Sequence, residues 1–138
     1  MTDLMELYRI AERAGIGVDR FPLDSADALS IRDARGRCHI ALDPARLRGT
    51  ADEKRKLAHE LGHCETGSFY DRACRFEVRE RCEQRAERWA IKKLVPKDEL
   101  LRAYRDGVTA PWELAERFCV PEKFMKKAME FYGPAGED

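Results

Sequence analysis

Leu4, Leu7, Tyr8 and Ala11 recur at helical spacing, and Gly15 and Gly17 follow as a stop, so the chain opens with an amphipathic helix. A short extended piece is expected around Phe21-Pro22-Leu23. Beyond it, Ala28-Leu29-Ser30-Ile31-Arg32 and Cys38-His39-Ile40-Ala41-Leu42 alternate apolar and polar positions on either side of Asp33-Ala34-Arg35-Gly36-Arg37, the pattern of a β-hairpin. Thr50-Ala51-Asp52-Glu53 has the form of a capping box and predicts a helix running through His59. No period is visible from Ser68 to Phe76. Val78, Cys82, Ala86, Trp89 and Ala90 then mark another helix, ended by Pro96. Three shorter helices are expected around 99–104, stopping at Gly107, and over 111–118 and 122–132, the last two separated by Val120-Pro121. The sum is a single, mostly helical α+β domain over residues 1–132 with a small antiparallel sheet, followed by a loose tail at 133–138.

Composition narrows the function classes. The 138 residues suffice for one core but not two, and with 43% hydrophobic and 38% charged residues the chain is neither disordered nor membrane-spanning. The N-terminus lacks the basic and apolar regions of a secretory signal, which predicts a cytoplasmic protein. Cys38, Cys64, Cys74, Cys82 and Cys119 are odd in number and form no C-x-x-C pair, so reduced thiols are expected rather than a disulfide framework or zinc ribbon. Basic and acidic residues balance at 26 each, which disfavours nucleic acid as the main ligand.

The chemistry is concentrated at His59-Glu60-Leu61-Gly62-His63. Two histidines four apart on a helix lie about 40° apart around its axis, so both imidazoles can converge on one ion. A catalytic zinc commonly takes two His and one Glu and keeps a position for water, and Glu60 is placed to act as general base on that water. The third ligand has to come from another element. The next helix offers Glu83 and Glu87 on one face; we assign Glu83 as the ligand, which leaves Glu87 one turn on as a candidate acceptor for the outer N–H of a liganding histidine, a role the sequence does not decide. Tyr70, His39 and Tyr104 are the candidates for stabilising the oxyanion formed at the attacked carbonyl, and the sequence does not choose among them. Cys82 falls in an apolar helical series and is read as a small buried hydrophobe rather than a ligand.

The segments 56–70 (KLAHELGHCETGSFY) and 83–96 (EQRAERWAIKKLVP) resemble the ImmA/IrrE family of metallo-endopeptidases, zincin-like enzymes that use H-E-x-x-H with a downstream glutamate. The resemblance is strongest over 56–100. It implies a zinc endopeptidase with His59, His63 and Glu83 as metal ligands and Glu60 as the catalytic residue. The position corresponding to Glu87 is usually Asp or Asn in that family. Such proteins are typically encoded beside a helix-turn-helix repressor on a phage or conjugative element and relieve repression by cleaving or otherwise inactivating it, so the resemblance also implies a protein substrate of that kind. The alternative from another class is a non-catalytic zinc protein that binds a repressor without cutting it. The closing helices, with Trp112, Leu114, Phe118, Phe124, Met125, Ala128, Met129 and Phe131, are read as core packing rather than a DNA-binding unit.

Overall fold

The computed structural model describes residues 2–71 and 73–133, so the proposed tail lies, apart from Gly133, outside the described residues. Helix α1 (Leu4–Arg13) begins at Asp3, whose side chain accepts from the Glu6 backbone N–H at 2.8 Å, and buries Leu7 and Ala11. After Gly15, at φ +72°, the chain enters β1 (Gly17–Arg20). Strands β2 (Ala28–Arg32) and β3 (Cys38–Leu42) form the expected antiparallel hairpin, with Ser30 opposite Ile40. Strand β1 was not foreseen, and it makes the sheet mixed rather than purely antiparallel, because it pairs parallel to β3 in the order β1-β3-β2. The segment expected to be extended, Phe21 to Leu23, instead belongs to the link that crosses the end of β3 from one sheet edge to the other. Asp43, only 4% exposed, ties that link down by accepting from the Leu23 backbone N–H at 3.0 Å and donating its own N–H to the Asp27 carbonyl at 2.9 Å. In the order β1-β3-β2, no strand among the described residues pairs with the outer edge of β2.

Helix α2 (Thr50–Thr66) carries the H-E-x-x-H segment, and α3 (Phe76–Leu94) packs along it. The capping box is a correction. The N-cap is Gly49, without a side-chain cap, and the Glu53 carboxylate is drawn away to the Tyr8 hydroxyl at 2.6 Å and the Arg20 guanidinium at 2.8 Å. Asp52 reaches back instead and accepts from the Arg48 backbone N–H at 2.9 Å. Gly62 explains how the two helices come so close: a Cβ there would overlap the backbone carbonyl of Ala86. The αL conformation of Gly67, φ +66°, ends α2 and turns the chain into the loop before α3.

Helices α4 (Lys97–Arg105), α5 (Pro111–Phe118) and α6 (Glu122–Tyr132) close the core, with Leu100, Leu114, Phe118, Phe124, Met125 and Ala128 all buried. Trp112 and Phe131 depart from the expected packing and are 55% and 39% exposed. Lys54, 2% exposed, fastens this helical end to α2 by donating to the Phe118 carbonyl at 2.6 Å. No helix among the described residues is long and apolar enough to cross a membrane.

Candidate metal site

One turn of α2 separates His59 from His63, and their ring centroids lie 4.9 Å apart, edge to face. Both Nε2 atoms point at the same atom of α3, Glu83 Oε2, at 2.8 Å from His59 and 3.3 Å from His63. His59, His63 and Glu83 each offer one ligand atom, and these lie within 4.8 Å of one another. The outer nitrogens are held from behind: His59 Nδ1 lies 3.2 Å from Glu87 Oε1, and His63 Nδ1 lies 2.6 Å from the Ser68 carbonyl oxygen. Because both of those partners are acceptors, each Nδ1 carries a proton and each Nε2 faces the cluster. Glu87 therefore reaches His59 despite being a methylene longer than the usual Asp or Asn.

The charge balance of the cluster follows. Burial alone would push His59 down, but hydrogen bonds to Glu83 and Glu87 outweigh it and raise its pKa to about 9. His63 is raised for related reasons, burial again opposing and Glu83 prevailing. Glu83 is held far below the usual carboxylate range by His59 and His63. Glu87, although burial raises it, is brought to about 2 chiefly by His59 and Lys127. The raised pKa of His59 favours the charged ring, whose Nε2–H lies against Glu83 Oε2 and whose Nδ1–H lies against Glu87, so proton and cation would compete for the space between the three candidate ligand atoms. The donor set, two imidazole nitrogens and one carboxylate oxygen, fits a catalytic zinc.

Glu60, beside His59, lines the recess that also holds His63, Tyr70 and Glu83. Its Oε1 accepts from the Ser30 hydroxyl on β2 at 2.8 Å, a partner that the sequence did not suggest. Tyr70 is the one oxyanion candidate brought to the cluster. Its hydroxyl donates to Glu83 Oε1 at 2.8 Å, and burial together with Glu83 raises its pKa to about 12. His39 is committed elsewhere, 2.9 Å from Asp33 in the hairpin turn, and Tyr104 packs at the edge of the core on α4. A recess of about 330 Å³ joins Ser30, Glu60, His63, Tyr70 and Glu83, and a broader groove of about 770 Å³ opens on the far side of His59 and Glu87.

The profile of the IrrE N-terminal-like domain, a peptidase family, matches residues 11–130. The chain belongs to that family. A metallopeptidase-type activity accords with the fold and with the His-His-Glu cluster. No curated protein matches the chain.

The cysteines bring a second correction. Cys38, at the start of β3, and Cys64, the residue after His63, are joined by a disulfide with Cα atoms 5.8 Å apart, leaving Cys74, Cys82 and Cys119 free. Counting and C-x-x-C spacing could not find this pair, because it forms only when the hairpin docks on α2. Cys82 is half-buried, with its Sγ 3.7 Å from the Phe69 carbonyl, and takes no part in the cluster.

Proposed function

We propose that this protein is a zinc-dependent endopeptidase in which His59, His63 and Glu83 hold the metal and Glu60 is the general base. The observation that carries the reading is the convergence of two imidazole Nε2 atoms on one oxygen of Glu83, with both outer nitrogens fixed by acceptors. When bound, zinc would lower the pKa of a coordinated water and polarise the scissile carbonyl. The outer edge of β2 can pair with an extended peptide and lay it across α2. Ser30 orients the Glu60 carboxylate, which takes a proton from the attacking water and delivers it to the departing amine nitrogen. Tyr70, at the edge of the cluster, supplies the hydroxyl donor for the carbonyl oxygen as charge builds on it.

The substrate we infer is a helix-turn-helix repressor encoded with this protein on the same phage or mobile element. Support for the substrate is the family resemblance alone. The test is to co-express wild type, Glu60→Gln and Glu83→Gln with such a repressor, follow its cleavage by mass spectrometry, and measure metal per chain on each purified protein. Cleavage by wild type only, with zinc retained in Glu60→Gln and reduced in Glu83→Gln, is the expected result. Relief of repression by Glu60→Gln without cleavage would replace catalysis by binding.

A further inference from the structure

Neighbouring recesses run from the metal cluster toward the start of α2, each sharing a lining residue with the next, and the last of them is basic. The recess holding Ser30, Tyr70 and Glu83 shares Ala28 and Glu60 with a small hollow that also contains His59, Arg55 and the Asp27–Lys56 ion pair. Arg55 in turn lines a cleft of about 620 Å³ between the start of α2 and α6. That cleft presents Arg48, Arg55, Lys123, Lys126 and Lys127 against one carboxylate, Asp52, in a chain whose charges balance overall at 26 and 26. Asp52 is itself engaged by Lys56 at 2.8 Å and by the Arg48 backbone N–H. Nearby Glu87 partly offsets Lys127 at 3.1 Å and Arg55 at 3.9 Å, and Glu122 approaches Lys126 at 4.0 Å. Among the described residues no carboxylate pairs with the guanidinium of Arg48 or the ammonium of Lys123.

We propose that this cleft is an exosite for an acidic segment of the substrate, on the C-terminal side of the bond that is cut. The side follows from strand direction. Strand β2 runs from Ala28, beside Arg55, toward Arg32, and antiparallel addition is the more stable pairing. A peptide paired antiparallel to β2 passes Ser30 and Glu60 first and Ala28 afterwards, so its C-terminal side leaves toward the cleft. Unpaired bases in a concavity attract carboxylates over a longer range than a single surface lysine does, and they act mainly on encounter rate and KM. The inference rests on the peptidase reading for the meaning of the path, but the cleft binds its ligand with or without turnover.

Two measurements separate the cleft from the catalysis. The first is fluorescence anisotropy of fluorescein-labelled decaglutamate with wild type, with Lys123→Glu/Lys126→Glu, and with Arg9→Glu/Arg13→Glu on α1 as a control that makes the same change of charge at exposed bases elsewhere. Binding at about 20 mM salt that weakens at about 200 mM, falls about tenfold in the cleft variant and persists in the α1 control is expected. No binding to wild type at the lower salt, or equal loss in both variants, overturns the proposal. Tighter binding of an oligothymidylate than of decaglutamate, lost in the same cleft variant, overturns it in favour of nucleic acid. The second measurement maps the cuts that zinc-loaded protein makes in a proteome-derived peptide library. Asp and Glu should be enriched C-terminal to the cut for wild type and not for the cleft variant. Enrichment on the N-terminal side refutes the assigned direction, and absence of any cutting beside intact decaglutamate binding refutes the peptidase reading while leaving the cleft.

Discussion

Gly62→Ala sets two effects of opposite sign against each other. In an isolated helix, alanine is favoured over glycine by about 1 kcal/mol, so propensity alone predicts a more stable protein. In the structure, the added Cβ overlaps the backbone carbonyl of Ala86, an atom that no rotamer change can move away. Helices α2 and α3 have to separate, and overpacking of a tight interface typically costs about 1–3 kcal/mol. With the rigid contact placing the cost at the upper end, about 3 kcal/mol against about 1 leaves a net loss near 2 kcal/mol, or about 7 °C in Tm for a chain of this length. The same displacement moves Glu83 away from His59 and His63, so zinc affinity should fall about tenfold. Urea unfolding of the metal-free proteins reads the first effect, and competition with a chromophoric chelator reads the second. Adding Ala86→Gly should not rescue the variant, since the offending carbonyl stays in place. A Gly62→Ala protein as stable as wild type, or more so, would refute the close-approach argument.

Ser30→Ala removes the hydroxyl that orients Glu60 and should lower kcat about three- to tenfold with KM and bound zinc unchanged, in a peptide hydrolysis assay; loss of zinc would mean that Ser30 supports the cluster instead. Metal and proton compete for His59. Its pKa rises from 6.5 to about 9 in the metal-free fold, so the stability it gives is complete below about pH 6.5 and lost as pH rises through 9. Glu87, brought from 4.5 to about 2, contributes above about pH 4.5 and loses that as pH falls through 2. The metal-free protein should therefore gain most from this cluster between pH 4.5 and 6.5, whereas the increase in Tm on adding zinc should grow from pH 6.5 to 9; differential scanning fluorimetry with and without zinc tests both trends. Replacing the Cys38–Cys64 pair by two serines opens a link across 26 residues and should cost about 3 kcal/mol in urea, and five free thiols in the native protein would remove the basis for that figure.

What the sequence disclosed was set within single elements. The spacing of His59 to His63, and of Glu83 to Glu87, is fixed by helical geometry alone, so the ligand faces could be read before any packing was known. The hairpin was legible because both its strands alternate. Strand β1 was not, since Gly17-Val18-Asp19-Arg20 offers one apolar residue and its place depends on the free edge of β3. The capping box failed because Glu53 has better partners in Tyr8 and Arg20, which lie on α1 and β1. Ser30 and the disulfide share that cause: each joins the hairpin to α2, and no local pattern records a contact between elements.

Those contacts also show why the site cannot exist apart from the fold. His59 is fixed by Glu87 on α3, Glu60 by Ser30 on β2 and His63 by Ser68 in the loop after α2, three neighbours for three consecutive functions of one helix. Each neighbour has its own fastening: α3 by the close approach at Gly62, the hairpin by Cys64, and the loop by the turn at Gly67. An ion that binds only this assembled set stabilises all three dockings together, by about 4 kcal/mol when free metal is a thousand times its Kd. In the metal-free protein His59 on α2 lies between Glu83 and Glu87 of α3, a pair of contacts that its raised pKa strengthens and that adds to the packing of the two helices. Without an ion, the fold already brings the three candidate ligand atoms within 4.8 Å of one another.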